Sequence, residues 1–321
     1  MEHPSDRERI VDATVYGMGK SAGNCTSELL ALHLNQYYGK HYDICQYLEV
    51  MDNDLMPIYN KHYWGYRYNF YLSAMENCHP DYVKYLLDKR TLTVSDVSEI
   101  LHRIPEERKL HYNVDIIEDL YIKHQSSFAF EGSGFNELQG ILKGKNVILI
   151  GPGGSLYDNI DLVRHEQEKL DAVLISTNFA PKEFECDFVF CSNAKRYNRM
   201  VDSLSAEPFG NKLIITSNVN AFDIKPDYTI NYQFLLEKEN YLIDNALILC
   251  LSLLSKIGIG QVKLVGFDGL SNTEKDYFDV SYSFHFSRDD RDDINSRTKD
   301  SLAKLSKEVD IEFLTASIYQ E

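Results

Sequence analysis

No apolar run in this chain is long enough to cross a bilayer. The longest, ALILCLSLL over Ala246–Leu254, falls far short of the ~20 residues a spanning helix needs, so no membrane span is expected. Cationic residues are also in the minority. Lysine and arginine number 33 against 49 aspartates and glutamates, for a net charge of -16. A surface this acidic repels nucleic acid and anionic lipid, and no long basic run offsets it. Small phosphate-bearing molecules stay open as ligands, because backbone amides and helix N-termini hold anions locally. The six cysteines include no C-x-x-C pair, which argues against zinc and against a disulfide framework. Several lie inside apolar runs, as reduced buried thiols do. The polar start MEHPSDRERI has no signal-peptide pattern, and a cytoplasmic protein is the expectation. The ten histidines contain no H-x-H pair.

What is present is enough for two domains: 321 residues, 44% hydrophobic and 26% charged, with the make-up of an ordinary globular protein. The stretch VDATVYGMGKSAGN, Val11 to Asn24, reads as a buried strand opening into a loop with Gly17, Gly19 and Gly23. The region after it reads as mostly helical. SELLALHLNQYYG is a helix ending on Gly39. Tyr59, Tyr63, Trp64, Tyr66, Tyr68, Phe70 and Tyr71 crowd into one stretch, read as helix packing by large amphipathic rings. Thr93 and Asp96 form an approximate capping box. Val97, Ile100, Leu101 and Ile104 then give a helical stripe that Pro105 stops. The Ser- and Gly-rich HQSSFAFEGSGFNELQG reads as a linker, which divides the chain into domains 1–127 and 128–321.

Beyond the linker the pattern changes. NVILI, AVLIS, DFVFCS, KLIITS, YTINY, VKLVG and IEFLT are short continuous apolar runs, as expected of strands covered on both faces. DNIDLVRHEQEKL, DNALILCLSLLSKIG and INSRTKDSLAKLSKEV read as helices between them. This alternation predicts an α/β fold with a doubly wound, mostly parallel, Rossmann-like sheet. The first strand runs into GPGGS, where Gly151, Gly153, Gly154 and Ser155 sit between strand and helix and let a phosphate approach the backbone. Position 156 is leucine rather than glycine, the second strand ends on Asn178 rather than an acid, and G-K-[ST] is absent; NAD and P-loop chemistry are therefore disfavoured. Asn178, Ser192, Asn193, Ser217, Asn218 and Asp268 follow other strands. Their small polar groups suit hydrogen bonding to a base, ribose or sugar, although Asn and Ser are also ordinary turn residues.

NVILIGPGGSL, STN, CSN, DNALILCLSLLSKIGIGQVKLVGFDGL and IEFLTAS, within residues 140–321, resemble a bacterial superfamily. It holds CMP-sugar sialyltransferases, motility accessory factors and 6-hydroxymethylpterin diphosphokinase-like proteins. The resemblance implies nucleotide contacts from Gly151, Gly153, Gly154, Asn178 and Asn193. Those transferases carry a catalytic histidine shortly before the last helix. Here the segment is FHFSRDDRDDINSRTKD, and its histidine, His285, lies further upstream. His285 and Asp268 are the catalytic candidates, and Asp289 and Asp290 read as a solvated loop.

VDATVYGMGKSAGNCTSELL and YWGYRYNFYLSAMENCHPDYVKYLLDKRTLTVSDVSEILHRI, within residues 8–110, resemble the end of metal-dependent (β/α)8 aldolases and lyases related to hydroxymethylglutaryl-CoA lyase and 4-hydroxy-2-oxovalerate aldolase. The resemblance implies a mainly helical remnant of a TIM barrel with its helical tail. In that family a divalent metal polarises an oxo-acid. Of its ligands only Asn24 is present, so a metal is expected only if the missing barrel is supplied; an incomplete barrel would also expose apolar edges, and a barrel subunit or self-association is expected to cover them. Taken together, the two resemblances predict the C-terminal portion of an aldolase-like carbon–carbon lyase with an incomplete metal site. Fused to it is a nucleotide- or nucleotide-sugar-binding domain of cell-surface polysaccharide biosynthesis. The alternatives are a glycosyl- or diphospho-transferase seated in the C-terminal domain, and a non-catalytic docking protein for a separate barrel.

Overall fold

The structure is a computed structural model that describes residues 10–19, 23–126, 134–181, 185–205, 211–221, 224–236, 245–271 and 288–320. Two compact units emerge. The first takes Met1–Tyr85 and Ile104–Asn113, the second Leu86–Arg103 and Val114–Glu321. The helical stretches 86–103 and 114–126 thus group with the sheet.

The first unit is helical: α1 (Ser27–Tyr37), α2 (Ile44–Val50), α3 (Met56–Tyr59), α4 (Tyr68–Met75) and most of α5 (Pro80–Asp88). Asp43 caps α2 by accepting from the amides of Cys45 and Gln46. The strand expected over VDATV does not form. Thr14 makes a single parallel bridge to Thr26, and Val15–Gly17 is a 3-10 turn. The reason is the lack of a neighbour: Ile10 and Val11 are 85% and 61% exposed, and a strand without a ladder has nothing to hold it. Among the described residues this unit contains no strand, so the barrel remnant is not shown. The aromatic stretch also departs from expectation. Tyr16, Tyr59 and Trp64 pack edge to face, but Tyr63, Tyr66, Tyr68 and Tyr71 are exposed. Buried order comes instead from Tyr82. Its hydroxyl donates to the His111 carbonyl (2.8 Å) and accepts from the Asn113 amide (3.1 Å).

In the second unit, α6 (Val94–His102) has the predicted capping box, closed between Thr93 and Asp96. Its stripe is buried at Val97, Ile100 and Leu101. α7 (Val114–Ser126) and α8 (Gly134–Leu142) follow, so the C-terminal end of the expected linker is a helix. All seven expected strands form: β1 (Val147–Ile150), β2 (Val173–Thr177), β3 (Phe188–Cys191), β4 (Lys212–Thr216), β5 (Tyr228–Ile230), β6 (Gln261–Val265) and β7 (Asp310–Phe313). They make one sheet in the order β5-β4-β3-β2-β1-β6-β7, parallel at every pairing. The connecting helices are α9 (Ile160–Leu170), α10 (Ala194–Ser205), α11 (Tyr232–Leu235), α12 (Ala246–Ile257) and α13 (Arg288–Leu305).

Side-chain alternation splits the core into two layers. Val147, Leu149, Ile175, Phe188, Phe190, Ile214, Val262 and Leu264 face the apolar α12, with Leu138 and Leu142 of α8 and Leu302 and Leu305 of α13. Ile148, Ile150, Leu174 and Val265 face the other way, onto Val163 of α9. Val189, Cys191, Leu213 and Ile215 do the same against Tyr197 and Met200 of α10. Burial on both faces is why the strands read as continuous apolar runs. Gly258, left-handed at φ +95°, ends α12 by donating its amide to Leu254 and Ser255. The cysteines are free: Cys78, Cys186, Cys191 and Cys250 are buried, Cys25 and Cys45 exposed. Burial pushes the thiols of Cys186 and Cys191 up to about 12, far from a reactive range. Among the described residues no helix is long and apolar enough to cross a membrane.

One strand position breaks the apolar pattern. Lys263 of β6 points to the α9 layer and is 9% exposed. Its ammonium meets Glu166 of α9 at 2.8 Å and Glu312 of β7 at 3.2 Å, while Glu166 also meets Lys169 at 2.8 Å. Hydrogen bonds from Lys169 and Lys263 hold the Glu166 carboxyl down at about 2, from an ordinary 4.5. A depressed folded-state value contributes stability above the unfolded value and loses it on acidification. Urea unfolding of Glu166→Gln beside the parent should therefore show a stability deficit near neutrality. The deficit should close as pH falls from about 4.5 toward about 2. A deficit independent of pH would remove the ion network as its source.

Candidate functional site

The strand order places the crevice. From β1 the chain steps outward through β2 to β5, then returns to lay β6 on the opposite side of β1. The connections leaving β1 and β6 diverge, and such a switch point is where ligands enter open α/β sheets, beyond the carboxyl ends of the strands.

The loops after β1 and β6 meet there with no space between them. The Gly151 amide donates to the Val265 carbonyl and the Gly153 amide to the Gly266 carbonyl, both at 2.8 Å. A Cβ on Gly151 would lie 2.4 Å from the Gly266 oxygen, and one on Gly153 2.5 Å from it. Gly266 itself is left-handed at φ +69°. These glycines are therefore required by contact between two protein backbones. Gly154 opens a 3-10 turn, Gly154–Asn159, that leads into α9. Ser155 next to it donates its amide to Asp268 at 2.7 Å, and its hydroxyl donates to the same carboxylate. The donor that would meet a ligand's phosphate is thus engaged by a half-buried aspartate of the chain. The tail braces this loop: the Ile318 amide donates to the Asp268 carbonyl, and the Ser317 hydroxyl to the Phe267 carbonyl at 2.6 Å.

The asparagines lie along the same edge, and the structure brings them together by lacing loop to loop. Asn178, left-handed at φ +57°, accepts from the Ser192 amide at 3.0 Å. Asn218 donates to the Ser192 carbonyl at 3.2 Å and accepts from the Thr216 hydroxyl. Asn193 accepts from the Arg196 amide at 3.1 Å, capping α10, and donates to the Arg90 carbonyl at 3.3 Å. The Ser217 hydroxyl accepts from the Tyr232 amide. Much of their capacity holds the rim in shape. The Asn178 side-chain N–H groups and the Ser192 hydroxyl take no part in these bonds. His285 lies outside the described residues.

A group that the sequence reading passed over stands at the end of β3. Lys195 and Arg196 occupy the first turn of α10, Arg199 the next, and Arg90 is tied to the same helix start through Asn193. Burial, then the charges of Arg90 and Arg199, push the Lys195 ammonium below its ordinary value. The first turn of α10 carries no acid, although cations there oppose the helix dipole. NAKRYNR, directly behind a strand in so acidic a chain, was the available signal.

Asn24 is elsewhere, in the first unit. Its amide donates to the Met18 carbonyl at 2.9 Å and packs against Gly19, where a Cβ would clash with it. It closes its own loop. No group of three or more His, Cys, Asp or Glu among the described residues could hold a metal ion. A divalent cation needs about six ligands, so the described residues here do not fit one.

No family model matches the chain, and no curated protein matches it. Among solved structures it resembles a mammalian sialyltransferase in complex with Gal-beta-1-3GalNAc-ortho-nitrophenol. The TM-score is 0.35 and the identity 12%, over 71% of this chain and 89% of that one. A second structure of a mammalian sialyltransferase gives a TM-score of 0.35 and 12% identity over 70% and 86%. So distant a likeness says nothing about what this chain binds.

The close approach at the switch point is testable. Gly153→Ala should lower unfolding stability by about 1–3 kcal/mol, the usual range for overpacking, in denaturant titration. A loss near zero would mean that the β6 loop yields easily and that the glycine is not held by this contact.

Proposed function

We propose that the second unit binds a nucleotide or nucleotide-sugar across the carboxyl ends of β1, β2 and β3 and transfers the sugar to an acceptor. The observation that carries the reading is the carboxyl-end edge of the sheet at the switch point. It has a rigid glycine floor, a carboxylate at Asp268, and a rim of small polar groups from three successive strand ends. Such a surface recognises hydroxyl groups and the edges of a base. Asp268, engaged by two donors of Ser155, is assigned to binding a ligand hydroxyl. For the base that takes the acceptor's proton the candidate is His285, although it lies upstream of the position the resembling transferases use.

In that transfer the acceptor oxygen bonds to the sugar's anomeric carbon. The bond from that carbon to the phosphate oxygen breaks, and the nucleotide leaves with the electron pair. The lyase reading has no comparable support, because no group of three or more His, Cys, Asp or Glu among the described residues joins Asn24 in a metal site.

Calorimetric titration with CMP, CDP, UDP and their sugar conjugates tests the binding. The expected result is saturable binding of at least one of them. Asp268→Asn should weaken it by about tenfold, as loss of a hydrogen bond to a charged group does. Absence of binding at millimolar ligand would remove the transferase reading. Binding without sugar transfer to any acceptor, unchanged by His285→Ala, would leave a non-catalytic binding protein.

A further inference from the structure

Short helices do not hold in water by themselves; they need a face to bury. In the first unit α1, α2 and α3 bury almost nothing. Ala31 is the one buried residue of α1, and α2 and α3 have none. α1 is nevertheless apolar on two sides. Leu30, Ala31 and Leu34 turn inward together with Glu28, whose carboxylate accepts from the Tyr16 amide at 3.1 Å. The exposed side carries Leu29, Leu32, His33, Gln36 and Tyr37. That is the i, i+3, i+4, i+7, i+8 spacing by which a helix ordinarily faces a core, and here it faces outward.

No carboxylate, lysine or arginine lies on this outward face, since Glu28 is the one acidic or basic residue of α1 besides His33. In a chain of net charge -16, two copies repel over most of their surface. An uncharged apolar face is where they can meet. A cationic partner would be drawn to carboxylates, which this face does not offer. The face is also ordered in advance. The His33 ring lies 4.9 Å from the ring of Tyr37 and 5.6 Å from that of Tyr38. The Asn35 side chain donates to the Tyr42 carbonyl and accepts from the Tyr42 amide, both at 2.7 Å, which pins the loop after α1 to the helix. Groups already fixed lose little freedom on association. The area is sufficient as well. Leu29, Tyr37 and Tyr38 are 63%, 71% and 59% exposed, and a covered aromatic side chain buries about 150–250 Å². With Leu32, Tyr42 and the polar His33 and Gln36, the face offers on the order of 700 Å², close to the ~800 Å² that each partner gives to a standard interface.

We infer that α1 is the contact of a symmetric dimer of this chain, lying antiparallel to α1 of a second copy. In such an interface residue i meets j and j meets i. A two-fold axis at His33, the middle of the stripe, sets Leu29 of each copy against Tyr37 of the other, four residues to either side. The antiparallel arrangement also sets the positive end of each helix dipole beside the negative end of its neighbour.

Sedimentation of the intact chain should show a concentration-dependent species of twice the chain mass. Leu29→Lys and Tyr37→Glu should each raise its dissociation constant about thirtyfold or more, the effect of a central contact. Both side chains are exposed, so the variants should keep the parent's far-ultraviolet circular dichroism. The double variant should recover most of the loss, because each new lysine then faces a new glutamate across the axis. Ile141→Glu, at an exposed position of α8, should leave the dimer unchanged. A chain that stays monomeric at every concentration overturns the inference, and so does a monomer that takes up a different protein through these residues. A dimer indifferent to Leu29→Lys and Tyr37→Glu overturns it by placing the contact off α1. Dissociation by both single variants without recovery in the double overturns the antiparallel pairing.

Discussion

The contact on which the rest depends is the one between two stretches of backbone, Gly151–Gly153 and Gly266. At 2.8 Å between amide and carbonyl, and with no space for a Cβ on either side, the ends of β1 and β6 are locked together. That lock brings Asp268 under the Ser155 amide, and the bonds from Ile318 and Ser317 anchor the chain's tail to the same loop. The switch point is consequently rigid and carboxylate-bearing. A rigid floor costs little further ordering were a ligand to bind, and the Asp268 carboxylate gives it a negative charge.

The same parallel sheet accounts for the odd charge in its core. Continuous apolar strands leave each face dependent on its helices. Lys263 interrupts that rule on the α9 face, where Glu166 and Glu312 meet it. A lysine there is tolerated because both carboxylates are supplied by neighbouring elements, α9 and β7. Replacing one carboxylate leaves a buried cation short of partners, which is costlier than replacing the whole group by apolar residues. The network ties the end strand β7 to β6 through side chains as well as through the ladder.

Much of the second unit was legible because its strands announce themselves twice, by β-branched composition and by a continuous apolar pattern that only two-sided burial explains. The capping box at Thr93 and Asp96 was legible for a local reason: both halves of the device lie within four consecutive residues. The strand over VDATV was misread because a β-branched run states a preference, and a ladder partner decides whether the preference is met. The tyrosines from 63 to 71 were read as packing since large rings usually are buried, but whether a helix finds something to cover it is a tertiary fact. The asparagines at 178, 193 and 218 were correctly placed at strand ends. That each binds a particular amide or carbonyl from 14 to 103 residues away could not be read from a single position.

The cations at the start of α10 show the limit from the other side. Net charge is a sum, and it conceals a local excess of the opposite sign. Two features of one edge then have a common physical meaning. The carboxylate that closes the glycine loop sets a negative charge at the end of β1, and Lys195 with its neighbours sets positive charge at the end of β3, so that charge of opposite sign is ordered along one sheet edge.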